Sequence, residues 1–151
     1  MGVTLYISLD RAVPGLEPNG ADGTVLAQLI GEPAGMDAAC RHLGVPSLTG
    51  FQSYDPAGLS EFIDDPAELA AAMATAKPIE WFDATAALPA VRMLPSYYAV
   101  ERVVNDRGRR RGGVWEPVDV TDRALAELKD VESVLSRAAA HGVRFRFHLG
   151  F

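Results

Sequence analysis

Two stretches at opposite ends of the chain carry the same hydropathy pattern. Val3, Leu5, Ile7 and Leu9 alternate with Thr4, Tyr6, Ser8 and Asp10, and Val143, Phe145, Phe147 and Leu149 alternate with Arg144, Arg146 and His148. A period of two sends apolar side chains to one face of a strand and polar ones to the other. Each stretch therefore predicts a half-buried strand. One sheet that holds both ends of the chain is the simplest way to cover the two apolar faces.

Between them the pattern is mainly helical, with frequent breakers. A long turn containing Pro14, Gly15, Pro18, Asn19, Gly20 and Gly23 precedes a helix that starts near Asp22 or Thr24, with Val25, Leu26, Leu29 and Ile30 as its stripe. Pro33 suits the first turn of a second helix, which runs through Met36, Ala39, Cys40 and Leu43 to a left-handed cap at Gly44. Leu48–Tyr54 reads equally as a short strand or an apolar loop. Asp55 before Pro56 and Asp65 before Pro66 each pair an N-cap acceptor with a residue favoured at the first helical position. Two short helices follow from this, one with Leu59, Phe62 and Ile63 on its apolar face and the other with Leu69, Ala72, Met73 and Ala76. Asp83 is placed to cap another helix, although Pro89 fits only if that helix starts near Leu88, and Pro95 should bend or divide it.

The run Arg107, Arg109, Arg110 and Arg111, interleaved with Gly108, Gly112 and Gly113, predicts a solvated flexible loop, and Val114–Val120 a strand containing Trp115. The last helix is the most regular. Thr121 is a suitable cap, Leu125, Leu128, Val131, Leu135 and Ala138 line one face, and Gly142 ends it. The expected fold is α+β: a small, mainly antiparallel sheet containing both terminal strands, covered by helices on one face. At 151 residues, 48% hydrophobic and 23% charged, the chain fits a single globular domain over residues 1–151. A domain of this size buries roughly 68 to 70% of its unfolded surface and needs no metal or disulfide staple. Cys40, the sole cysteine, reads as a buried structural thiol.

Composition also narrows function. A net charge of −6 argues against a nucleic-acid or anionic-membrane binder and is compatible with a basic protein partner. No stretch approaches the roughly 18 to 20 apolar residues of a membrane span, and Met1–Asp10 lacks the basic flank and continuous apolar run of a secretory signal. A cytoplasmic setting is expected. Gly15 and Gly20 match half of a phosphate-binding loop, but Ala21 and Asp22 stand where lysine and a hydroxyl residue are needed. His42, His141 and His148 have no metal-ligand spacing, Ser8 and Ser53 stand in no nucleophile motif, and neither a metal nor a cofactor is implied. Asp55, Asp64, Asp65, Glu68, Glu80 and Asp83 concentrate acid, and Asp55, Asp65 and Asp83 read as helix caps.

Binding candidates are the aromatic zone of Phe51, Tyr54 and Trp81, then Trp115 beside the arginines, and the open sheet face of Tyr6, Arg144, Arg146 and His148. Tryptophan and tyrosine dominate interface hot spots when exposed, and anchor a core when buried. The cationic row on the last strand should attract carboxylates.

The segments MGVTLYISLD, EWFDATAALPAV and HGVRFRFHLGF together resemble small uncharacterised bacterial proteins of the domain-of-unknown-function kind. Some small acidic proteins of that kind act as immunity or antitoxin partners. The resemblance implies that class and carries over no catalytic residue. The leading expectation is a non-enzymatic protein-binding module. A small-molecule enzyme or binder on the open face, using His148, Arg146, Arg144 and Tyr6, is the alternative, and homodimerisation through an edge strand is a third reading.

Overall fold

The alternating ends of the chain pair with each other. The computed structural model describes residues 3–16 and 23–150. In chain order its elements are β1 (Thr4–Leu9), α1 (Thr24–Gly31), α2 (Pro33–Leu43), α3 (Pro66–Thr75), β2 (Phe82–Asp83), α4 (Ala84–Glu101), β3 (Val104–Arg111), β4 (Val114–Asp119), α5 (Thr121–Ala140) and β5 (Arg144–Gly150). Two 3₁₀ turns, Leu48–Phe51 and Pro56–Glu61, lie between α2 and α3. Residues 17–22, with Gly20 of the half phosphate-loop pattern and Pro18 and Asn19 of the expected turn, lie outside the described residues, as do Met1, Gly2 and Phe151.

β5 occupies the centre of the main sheet, with β1 on one side and β2 on the other, all antiparallel. The register sets Leu5 opposite Leu149, Ile7 opposite Phe147 and Leu9 opposite Phe145. On the other face it sets Tyr6 opposite His148 and Ser8 opposite Arg146. Beyond β2 the same edge of β5 receives Gln52 in a parallel bridge, and the Ser53 N–H donates to the Phe147 carbonyl at 3.0 Å. Full burial of a phenylalanine stabilises by about 2 to 3 kcal/mol. Phe145 and Phe147 are both completely buried.

One apolar cluster fills the space between this sheet and its helices. α1 lies against β1, α5 against β5 and α4 against β2, with α4 and α5 packed along one another and α2 on α4. Leu128, Val131, Leu135 and Ala138 of α5 are buried, as their spacing predicts. Gly44 closes α2 in the left-handed conformation, and Cys40 is buried next to Met36. Burial pushes the Cys40 thiol above its ordinary range, which suits an inert core residue.

Several local expectations need correction. α4 begins at Ala84 and keeps both Pro89 and Pro95 inside one continuous helix. Each proline removes a donor, but burial of Ala87, Ala90, Val91 and Leu94 on the opposite stripe outweighs local propensity. Asp83 flanks the start of this helix without a side-chain capping bond, whereas Asp55 accepts from Ala57 N–H at 2.9 Å and Asp65 from Glu68 N–H at 3.3 Å. Thr121 is the first residue of α5 rather than its cap. It is buried, and its Oγ1 accepts from Val103 N–H at 2.7 Å, tying the helix to the base of β3.

The arginine and glycine run is a strand, not a loop. β3 pairs with β4 in a separate two-stranded sheet, and Gly112 and Gly113, with φ of 56° and 82°, make its turn. Val118 packs so closely on Gly108 that a Cβ there would meet it at 2.7 Å, at the point where the ladder shifts register. Finally, the Pro56–Glu61 segment is a 3₁₀ turn whose expected apolar residue Phe62 is 77% exposed, and α3 has no buried residue at all.

Candidate functional site

The open face of the sheet gathers four of the expected residues. Tyr6 and His148 face each other across β1 and β5 with ring centroids 5.3 Å apart, and Ser8 Oγ lies 3.4 Å from His148 Nε2. Arg146, the next residue on this face, places its guanidinium 5.5 Å from the centre of the Trp81 ring and donates from Nη1 to the Ser53 carbonyl at 2.8 Å. Its Nε is enclosed with no hydrogen-bond partner among the described residues. Arg144 attracts the carboxylate its strand position calls for: Asp10 Oδ2 accepts from its Nε at 3.1 Å, and Asp10 Oδ1 accepts from its backbone N–H at 3.0 Å.

The electrostatics of this face favour a neutral imidazole at His148. Burial first, and the Arg146 cation second, hold His148 below the usual histidine range. Burial and an arginine two residues along the same strand face both disfavour the imidazolium. The rings of Tyr6, His148 and Trp81 pack this face, and the three cavities described below are lined by other residues.

The flank of the same face is different. Ser53, whose Oγ accepts from Glu80 N–H at 2.8 Å, joins the sheet to an arm that leaves after Gln52 and returns at β2. A groove of about 280 Å³ opens where the arm leaves and returns, with Tyr54, Pro56, Leu59 and Pro78 in its wall and Asp55 and Glu80 at its rim. Tyr54 is 51% exposed, Phe62 77% and Met73 44%. From Asp55 to Asp83 there are seven acidic residues and one basic residue, Lys77, a net of −6. Asp83 lies in β2 opposite Arg144, so the arm itself, Asp55 to Glu80, carries −5 of the net −6 and the rest of the chain −1. All seven carboxylates are on exposed residues.

The structure thus separates the expected site residues. Tyr6, Arg146, His148 and Trp81 share one face, with Arg144 and its Asp10 partner at the end of the same row. Tyr54 belongs to the groove, where its hydroxyl donates to Gln52 Oε1. Phe51 points the other way, buried against Phe82 and Phe145 at centroid distances of 5.5 and 5.7 Å. Trp115 lies on the hairpin, half exposed under Arg110. Reading the acidic residues one by one as caps obscured their joint effect. A running charge sum would have found the arm.

A second cavity of about 540 Å³ lies between α1 and the base of the hairpin, and a third of about 250 Å³ is lined by His42, Tyr97 and Val100. Among the described residues no three metal-ligating side chains gather, and no helix is long and apolar enough to cross a membrane. Comparison of the chain with protein-family models, with curated proteins and with solved structures gives no match.

Proposed function

We propose that this protein is a non-enzymatic protein-binding module whose docking surface is the arm from Gln52 to Glu80 and whose partner is a basic protein. The carrying observation is the segregation of charge: a net of −5 on the arm, and −1 on the remainder. Solubility alone gives no reason for such segregation, whereas a one-sign surface steers an opposite partner and fixes its orientation. Exposed Tyr54, Phe62 and Met73 supply apolar contact within that field, which charge alone does not provide. The reading extends to a bacterial cytoplasm in which an acidic protein masks a basic one, as immunity and antitoxin proteins do. A small-molecule site on the open sheet face has less support, because none of the three described cavities is lined by Tyr6, Arg146 or His148.

The test is capture from native lysate by the wild-type chain and by a variant carrying Glu61→Gln, Phe62→Ser, Asp64→Asn and Glu68→Gln, which spares the capping residues Asp55 and Asp65. The expected result is a basic protein held in salt-sensitive fashion by the wild type and at least about tenfold more weakly by the variant. Equal capture by both, or no stable partner at all, contradicts the proposal.

A further inference from the structure

Two exposed surfaces of opposite sign stand at the two ends of one helix. The acidic arm returns to the body at β2, directly before α4, and the hairpin of β3 and β4 leaves directly after it. α4 has 18 residues and is about 27 Å long, so the roots of arm and hairpin are held that far apart. Between Arg107 and Trp115 the hairpin tip carries four arginines and no acid, a local charge of +4. Asp106 and Glu116 flank this run, and Asp119 at the base is taken by Arg102 at 3.0 Å. The pairing of charge inside the molecule leaves both surfaces out. Among the described residues the ion pairs are Arg92 with Glu132, Arg102 with Asp119, Arg123 with Glu127 and Arg144 with Asp10. None uses a carboxylate of the arm or a guanidinium of the tip, and none joins the two within one copy.

Both surfaces also offer apolar contact. The register sets Arg109 and Arg111 on one face of the hairpin with Val114, and Arg110 on the other with Trp115, the guanidinium carbon lying 5.9 Å from the centre of the indole ring. Val114 and Trp115 are exposed, as Tyr54, Phe62 and Met73 are on the arm. We infer that the hairpin tip of one copy docks on the acidic arm of a second copy, with Arg109, Arg110 and Arg111 set against Glu61, Asp64 and Glu68, and with Val114 and Trp115 against Phe62 and Met73. The inference rests on the arm being a docking surface, and it makes the chain's own tip a competitor of the basic partner proposed above. The net charge of −6 repels copies at a distance, but salt screens it beyond about 8 to 10 Å, and at contact the local +4 and −5 decide. Because the two surfaces differ, one contact leaves a free tip and a free arm, which a further copy extends or the same pair reciprocates. A hairpin tip buries less than the roughly 1,000 Å² of a stable interface, so the association is weak and reversible.

Sedimentation equilibrium of the full chain tests this. In about 0.1 M salt the weight-average mass of the wild type should climb above that of a monomer as its concentration rises toward about 1 mM, and in about 1 M salt it should return to the monomer. The arm variant described above and a tip variant carrying Arg109→Gln, Arg110→Gln and Arg111→Gln should each associate at least about tenfold more weakly. All the substituted residues are exposed, and the urea midpoint of each variant should match that of the wild type. Mixed in equal amounts, the two variants should form a hetero-pair that neither forms alone, since one brings an intact tip and the other an intact arm. A wild type that stays monomeric at every concentration, association retained by either variant, or no recovery on mixing overturns the inference. A monomeric wild type whose tip amides shift on adding oligothymidylate overturns it too, and assigns the tip to a polyanion. The tip variant keeps the arm intact and should capture a basic partner from lysate as the wild type does, so this inference and the proposed function fail separately.

Discussion

A single buried carboxylate ties two distant helices together. Glu127 of α5 accepts from Thr24 N–H at 3.0 Å and Val25 N–H at 3.2 Å through Oε1, and from Leu26 N–H at 2.8 Å through Oε2. These are the first amides of α1, which have no intrahelical acceptor, and the cap residue Gly23 has no side chain to offer. Glu127→Ala should therefore lower stability by about 2 to 3 kcal/mol in urea denaturation, and Glu127→Gln by less. A change within about 0.5 kcal/mol for the alanine variant would show that solvent satisfies those amides. His148 gives a pH prediction. Its folded-state pKa lies below the unfolded value of 6.5, so the unfolded chain takes up the proton first as pH falls. The stability from neutral His148 is thus present above about pH 6.5 and is lost as pH falls through the folded value. Between about pH 7 and 5, the urea midpoint of the wild type should fall more steeply than that of His148→Gln. Parallel slopes would place the imidazole in an ordinary solvated environment.

Among the elements, α3 is held by its own backbone and cap rather than by the core. Asp65→Ala removes the side-chain cap, worth about 1 kcal/mol, and should speed hydrogen exchange of the α3 amides roughly fivefold without moving the global urea midpoint. A matching drop in the midpoint would mean that α3 unfolds only with the rest. Where periodicity governs, the sequence was legible: β1, β5, α2 and α5 follow their apolar spacing, and pairing of the ends sets Tyr6 and Ser8 beside the row of Arg146 and His148, as expected. Where packing or long-range partners govern, it was not. α4 runs through two prolines because its buried stripe holds it, and Phe62 stays out because its 3₁₀ turn reaches no core. The hairpin has no buried alternation to read, since the arginines of β3 are exposed on both of its faces. The Arg146–Trp81 contact joins residues distant in sequence, and no local rule predicts it.

On the scale of the whole molecule, the protein divides into a closed body and an open arm. The body carries a net charge of only −1 and is closed by the pairing of its two ends around a core that includes Phe145 and Phe147. The arm carries the other five net negative charges and three exposed apolar side chains, attached to the body at Ser53 and Phe82. Burying the arm's own apolar residues would stabilise the monomer but remove the contact surface proposed for a basic partner. This division leaves the arm outside the core, as its proposed role as a docking surface requires. Residue-by-residue native-state hydrogen exchange tests it most directly. Amides of β1 and β5 should exchange only through global unfolding, while those from Leu59 to Thr75 should exchange by local opening at least about a hundredfold faster. Arm amides as slow as those of Phe145 and Phe147 would contradict the account.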